Sequence, residues 1–127
     1  MYVRFIVLAP RPRRPCGLFR AETELLDDPA LADWLRNSID EHFRWFNANL
    51  RRPYDAVARR RRIGVTAICW FRPEAHAHIA RARHLAWLIA EAGHPTAMIK
   101  THRVGQIIYR DEAQIVAKPD PATRIRA

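Results

Sequence analysis

The sequence predicts an α+β fold, in which a mixed sheet of about four to five strands and two amphipathic helices on one face form a two-layer sandwich. Three observations predict this class. Two segments carry apolar residues at three- and four-residue steps, several shorter segments are rich in β-branched and aromatic residues, and proline or glycine separates these segments. The predicted order is β-α-β-α-β-β-β, and right-handed crossovers between parallel strands would bring both helices to the same face.

The N-terminal segment predicts a strand followed by an irregular connection. Residues 2–9 are apolar at nearly every position, with Arg4 as the exception, which is typical of a strand covered on both faces. The next stretch, "PRPRRPCG", contains three prolines within six residues, and these favour an extended path. Residues 19–28 then predict one or two helical turns.

The first long helix is predicted to begin at Asp28 and Pro29. An aspartate oxygen can accept hydrogen bonds from the free amides of a helix start, and proline loses no hydrogen bond at the first helical position. Pro53 predicts its end. The apolar residues of its inward face keep helical spacing: Leu31, Leu35, Ile39, Phe43, Phe46 and Leu50.

A second strand and a second long helix follow. Residues 63–72 predict the strand, because they are rich in β-branched and aromatic side chains. Pro73 and Glu74 predict the helix start, and Gly93 predicts its end. Small and apolar residues form the predicted inward face: Ala75, Ile79, Ala82, Leu85, Ala86, Leu88 and Ile89.

The C-terminal part predicts three further strands, at residues 96–104, 106–110 and 113–118. The last two are joined at "RDEA" as a tight hairpin. The remaining eight residues, "DPATRIRA", offer little to fold with. We therefore expect a single domain over residues 1–118 and a frayed tail over 119–127.

Composition predicts a folded protein of the cytoplasm. The chain has 127 residues, which is enough for a core without disulfide or metal staples. Its apolar N-terminal run is too short to span a membrane and lacks a signal-peptide cleavage pattern. Cys69 is predicted to be a reduced thiol packed in a strand. The abundance of Ala, Arg and Pro is also what a GC-rich bacterial genome produces.

A dense group of arginines predicts an anion-binding site. The formal net charge is +9, with a pI near 10.9, and 20 of the 22 basic residues are arginine. Guanidinium groups bind phosphate through a planar fork, and an interleaved aromatic ring can stack on a base. The predicted site combines a connection between the first long helix and the second strand with the proline-rich stretch: Arg51, Arg52, Tyr54, Arg59, Arg60, Arg61, Arg62, Arg11, Arg13 and Arg14.

A second candidate lies on one flank of the second long helix, where His76, Arg83 and Trp87 share a side. An arginine and a histidine beside an indole can form a modest anion site, and the alternative is the polar rim of an amphipathic helix. The histidines of this helix do not have the spacing of a metal pair, so no metal is predicted. With only four glycines and no glycine-rich phosphate loop, no nucleotide cofactor is predicted either.

The sequence favours a small non-catalytic module that binds a polyanion, RNA or DNA, through the arginine-rich connection. One alternative is a protein-interaction or regulatory module that meets an acidic protein surface or forms a homodimer through its sheet. Another is a small enzyme that uses Cys16 or the His76 flank. No complete catalytic constellation supports the enzyme, so a non-catalytic protein is the preferred hypothesis.

Overall fold

The computed structural model describes residues 1–8, 16–52 and 67–125. It confirms the α+β class, and the helical turns predicted at residues 19–28 form a short helix. The elements are β1 (Tyr2–Val7), β2 (Cys16–Gly17), α1 (Leu18–Leu26), α2 (Asp33–Asn49), β3 (Ile68–Phe71), α3 (His76–Glu91), β4 (Thr96–Thr101), β5 (Gln106–Arg110) and β6 (Gln114–Lys118). Among these residues no helix is long and apolar enough to cross a bilayer.

The strands pair in the order β2-β1-β3-β6-β5, and β4 also pairs with β1. Within the described ranges, each pair with an assigned register is antiparallel, so the sheet is antiparallel where a mixed sheet was predicted. The prediction of parallel strands rested on the crossover rule. That rule does not apply to β1 and β3, because these neighbours run in opposite directions although a long helical connection joins them.

The chain divides into two compact units. One comprises Met1–Arg4, Arg51–Ile79 and Ile99–Ala127, and the other comprises Phe5–Leu50 and Ala80–Met98. Each unit has buried apolar residues of its own, including Trp70 and Ile115 in the first and Ile39 and Leu85 in the second. These residues supply the hydrophobic stabilisation that fixes the neighbouring polar side chains.

The first unit is organised by the β5–β6 hairpin and by β3, which pairs with the other edge of β6. Trp70 of β3 lies opposite Ile115 of β6, and Val3 of β1 lies opposite Phe71. The hairpin between residues 110 and 114 is confirmed, and the Asp111 amide donates to the Gln114 carbonyl at 3.0 Å. Ile115, Val116 and Ala117 are consecutive and all buried, so both faces of β6 are covered.

The second unit contains α1, α2 and most of α3. The end of β1 pairs with β2, and the Leu8 amide donates to the Pro95 carbonyl at 2.7 Å. The predicted end of α3 is confirmed. Gly93 has a φ of +98°, a conformation that glycine adopts without a Cβ penalty, and its amide donates to the Ala90 carbonyl at 2.9 Å.

The start of α2 differs from the prediction, because the helix begins at Asp33. Asp28 Oδ1 accepts a hydrogen bond from the Ala30 amide at 2.9 Å, which closes a local turn in place of a helical turn. Arg36 holds this turn by donating to the carbonyl oxygens of Leu26 and Asp28. The prediction missed that a short aspartate side chain stabilises a turn as readily as a helix start.

The inward face of α2 also differs from the prediction by one residue. Leu35, Ile39 and Phe46 are buried as expected, but the buried residue between Ile39 and Phe46 is His42, while Phe43 is half-buried. Steps of three and then four residues follow the 3.6-residue period as closely as the predicted steps of four and then three. Tertiary packing therefore places a polar residue, His42, at an inward position of α2.

The last described residues form a turn. The Asp120 carboxylate accepts from the Ala122 amide at 2.8 Å and from the Thr123 hydroxyl at 3.2 Å, and Arg103 pairs with the same carboxylate at 3.1 Å. Thr123 is buried. The strand predicted at residues 96–104 is shorter than expected and ends at Thr101, whose hydroxyl accepts from the Arg103 amide at 3.0 Å.

Candidate functional site

The arginine-rich connection lies only partly within the described residues. Arg51 and Arg52 are described, and both are exposed. The other predicted residues of this site lie outside the described ranges: Tyr54, Arg59, Arg60, Arg61, Arg62, Arg11, Arg13 and Arg14. The structure therefore locates the first two residues of the connection and their surroundings.

A buried glutamine fixes the start of this connection. The Gln114 side chain is only 3% exposed, and its Nε2 atom donates to the Arg51 carbonyl oxygen at 2.6 Å and to Asp111 Oδ2 at 3.1 Å. A buried amide that satisfies two acceptors resists displacement, because breaking these bonds would leave polar groups unpaired. The backbone of Arg51 is therefore tied to β6.

Asp111 connects this contact to the hairpin turn. Its Oδ1 atom accepts from the amides of Ala113 at 2.8 Å and Gln114 at 3.0 Å, and its Oδ2 atom accepts from the Tyr109 hydroxyl at 2.9 Å. Desolvation by burial opposes ionisation of this carboxyl, but the hydrogen bonds outweigh it and lower the pKa of Asp111. Asp111 is therefore an ionised acceptor at neutral pH.

The pKa of the Tyr109 hydroxyl is affected by a carboxylate, Asp111, and by a guanidinium, Arg51. Desolvation, the hydrogen bond to Asp111 and the negative charge of Asp111 raise the pKa of Tyr109, whereas the charge and hydrogen bonding of Arg51 act in the opposite direction. The Arg51 side chain is thus engaged near Tyr109.

The residues of the helical flank lie on α3. His76 is the first residue of that helix and is exposed. Trp87 is 53% exposed, and its ring lies 6.1 Å from the His84 ring at an interplanar angle of 32°. An Arg83 guanidinium nitrogen lies 4.0 Å from the Met98 sulfur. Arg83 and Trp87 are one helical turn apart on α3, and the anion site assigned to this flank stays a prediction.

A histidine pair that the sequence did not predict joins α2 to α3. His42 Nε2 lies 3.0 Å from His84 Nδ1, and the ring centroids are 4.6 Å apart at 86°. Burial lowers the pKa of His42 most, because it disfavours the charged ring. Electrostatic interactions with His84 and Arg81 lower this pKa further, whereas the Glu41 carboxylate raises it. His42 Nδ1 has no hydrogen-bond partner in the part of the chain that the structure describes.

The sequence held one signal for this pair. His42 lies three residues after Ile39 and four before Phe46, so it occupies a helical position on the apolar face. Histidine spacing within one helix does not reveal the pair, because the two partners are 42 residues apart. In the described residues no three histidines, cysteines or carboxylates converge to hold a metal ion.

A second contact lies beside the histidine pair. The Arg81 guanidinium carbon is 5.1 Å from the centroid of the Trp45 ring, and Arg81 also approaches the Glu41 carboxylate at 3.8 Å. An arginine above an indole is attracted by the ring quadrupole. Trp45 lies later in α2 than His42, while Arg81 lies earlier in α3 than His84, which is the order expected where two helices run in opposite directions.

Cys69 differs from its prediction, because the structure leaves it exposed. Side chains alternate along a strand, and Cys69 points away from its buried neighbours Ile68 and Trp70. Desolvation raises the pKa of the thiol, with Arg4 acting in the opposite direction, so the thiol is protonated at neutral pH. This protonation makes Cys69 a poor nucleophile.

Comparison of the chain with protein-family models, with curated proteins and with solved structures finds no match in any of the three. The function of the protein is therefore inferred from the charge, exposure and contacts of the residues described above.

Proposed function

We propose that this protein is a small, basic, non-catalytic module that binds a polyanion, RNA or DNA, through the connection of residues 51–62. The observation that carries the proposal is the anchorage of the Arg51 backbone by the buried Gln114 side chain. A basic segment that starts from a fixed point loses less conformational entropy on binding than one that is free at both ends. The net charge of +9 supplies long-range attraction to phosphate.

The proposed contacts are with the phosphate backbone. Arginines neutralise phosphates and release counterions, so they position a nucleic acid without reading its sequence. We accordingly expect similar affinities for unrelated sequences of the same length. We place the protein in the cytoplasm of a bacterium, where nucleic acid is abundant and Cys69 would stay reduced.

A salt titration tests this proposal. If six to eight arginines contact phosphates, the logarithm of the association constant for duplex DNA falls with the logarithm of salt concentration with a slope of about −5 to −7. Replacement of Arg59, Arg60, Arg61 and Arg62 by glutamine should make this slope shallower by about 3 to 4. A slope near zero for the unaltered protein, or no binding at about 50 mM salt, would contradict the proposal.

A matched control removes four exposed arginines elsewhere, namely Arg20, Arg44, Arg110 and Arg124. Both variants lose the same charge. Only the connection variant should lose most of the salt dependence, because the control residues lie outside the proposed contact. Equal losses in the two variants would mean that net charge alone drives the binding.

A protein-interaction module is the second candidate, in the form of a homodimer through the sheet. The observation that favours it is the position of β5 at one end of the strand order, with Ile107 and Ile108 half-buried. An edge strand can pair with a second copy of the chain. Size-exclusion chromatography with light scattering at two concentrations tests it, and a constant monomer mass would exclude it.

A further inference from the structure

The seam between α2 and α3 carries a continuous surface of rings and cations, which we call the aromatic–cationic stripe: Trp45, Arg81, His84 and Trp87. Two pairs of its members lie close together. Arg81 lies above the Trp45 ring, and the His84 ring is tilted by only 32° against Trp87. Arg81, His84 and Trp87 follow one another at three-residue steps on α3, so they form one oblique row on the helix surface.

The outer end of this stripe is exposed. Trp87 is 53% exposed, although burial of a large aromatic side chain would stabilise the fold. Arg83 lies one helical turn before Trp87 on the same side, and its guanidinium reaches the Met98 sulfur. An open indole face next to a guanidinium offers a surface for a flat ring and a contact for a phosphate.

The inner end of the stripe is fixed by contacts. His84 is tied to the buried His42 at 3.0 Å, and Arg81 is held between Trp45 and Glu41. These contacts limit the rotamers of the row, so a ligand would find the His84 and Arg81 side chains already ordered. The Glu41 carboxylate lies 3.8 Å from Arg81, so it repels phosphate from the inner end of the stripe.

We propose that Trp87, at the outer end of the aromatic–cationic stripe, and the neighbouring Arg83 bind unpaired nucleotides of a single-stranded nucleic acid, with a base stacked on Trp87 and a neighbouring phosphate on Arg83. This inference rests on the proposed function and narrows it to single strands. A base in a duplex is already stacked and cannot reach an indole on a helix surface, whereas an unpaired base stacks on any exposed aromatic ring. An acidic peptide would use the cations but would gain nothing from the indole face.

The test compares one oligonucleotide as a single strand and annealed to its full complement as a blunt-ended duplex, both labelled for fluorescence anisotropy. Trp87→Ala should weaken binding of the single strand about 5- to 150-fold, the range expected for loss of one stacked base, and leave the duplex within about twofold. Trp87→Phe should restore most of the single-strand affinity, because it keeps a ring.

The chain provides a matched control in Trp34, which is 55% exposed near the start of α2 and lies outside the stripe. Trp34→Ala should leave both affinities unchanged. If Trp87→Ala leaves the single-strand affinity unchanged, or lowers the single-strand and duplex affinities equally, the proposed base stacking on Trp87 is wrong. The proposal that the arginine connection binds phosphates is unaffected by either result.

Two further outcomes bear on this inference and on the proposed function. Failure of the unaltered protein to bind either oligonucleotide would remove both proposals. Binding of polyglutamate that falls by the same factor with Trp87→Ala would show a general anion site, and would overturn base stacking on Trp87.

Discussion

The Nε2 atom of His42 lies 3.0 Å from the Nδ1 atom of His84, so the two rings share one hydrogen bond in which one imidazole donates and the other accepts. His42 is 4% exposed, whereas His84 is exposed. The charged groups beside the pair are Arg81 and Glu41. Protonation of both rings would remove the acceptor and place two positive charges in contact.

The histidine pair should make folding stability depend on pH. The pKa of His42 is lowered below its usual 6.5, so between that lowered value and 6.5 the unfolded chain binds more protons than the folded one. Stability should therefore be complete above 6.5 and fall as the pH drops below it. Urea unfolding at pH values from about 7.5 to 5 measures this.

His42→Gln should flatten that pH profile, while His102→Gln, a change at an exposed histidine, should keep it. His42→Gln is also expected to lower stability at neutral pH, because it alters an inward position. The two variants are therefore compared by how steeply their free energy of unfolding changes with pH, and not by its value at one pH. A slope retained in His42→Gln would contradict the assignment.

Gln114 should stabilise both the hairpin and the start of the arginine connection. Gln114→Leu keeps a similar volume but removes the side-chain amide that donates to the Arg51 carbonyl and to Asp111 Oδ2. We expect it to lower the free energy of unfolding by about 1–3 kcal/mol. Gln106→Leu, at an exposed glutamine of β5, is the matched control and should change stability by less than about 0.5 kcal/mol. Similar losses in both variants would show that the tether contributes nothing to stability.

Gly105 should tolerate no side chain. Its φ is +90°, and a Cβ at this position would overlap the Lys118 carbonyl oxygen and lie 2.9 Å from Pro119 Cα. We expect Gly105→Ala to destabilise the fold by about 3 kcal/mol or more. Gly93 has a similar φ of +98°, but a Cβ at that position would meet nothing within 4 Å, so Gly93→Ala should cost only about 1 kcal/mol. Thermal unfolding of the two variants separates backbone strain from steric overlap, and equal losses would contradict the overlap at Gly105.

Asp111 should contribute to stability against acid. Its pKa is lowered from 3.8, so the contribution is present above 3.8 and is lost as the pH falls through the lowered value. Asp111→Ala should remove this part of the acid transition and should also weaken the hairpin at neutral pH, because two amide donors lose their acceptor. Asp33→Ala, at an exposed carboxylate, should leave the acid limb unchanged. Acid unfolding followed by circular dichroism measures both variants, and identical acid limbs in the unaltered protein and Asp111→Ala would contradict this prediction.

Local patterns predicted the elements whose signals lie within a few residues. The end of α3 follows from Gly93, and the β5–β6 hairpin follows from two short apolar segments around "RDEA". The start of α2 was missed because Asp28 supports a turn and a helix start equally well. Charge content, and with it the expectation of an anionic partner, was likewise available from composition alone.

The sequence by itself determined the α+β class, the apolar faces of the helices and the excess of positive charge, because periodicity, capping and composition act over short distances along the chain. Only the tertiary structure decided that His42 meets His84, that Gln114 holds Arg51 and that Cys69 is exposed. Partners separated by 42 and 63 residues are selected by how strands and helices pack, and no local pattern records that choice.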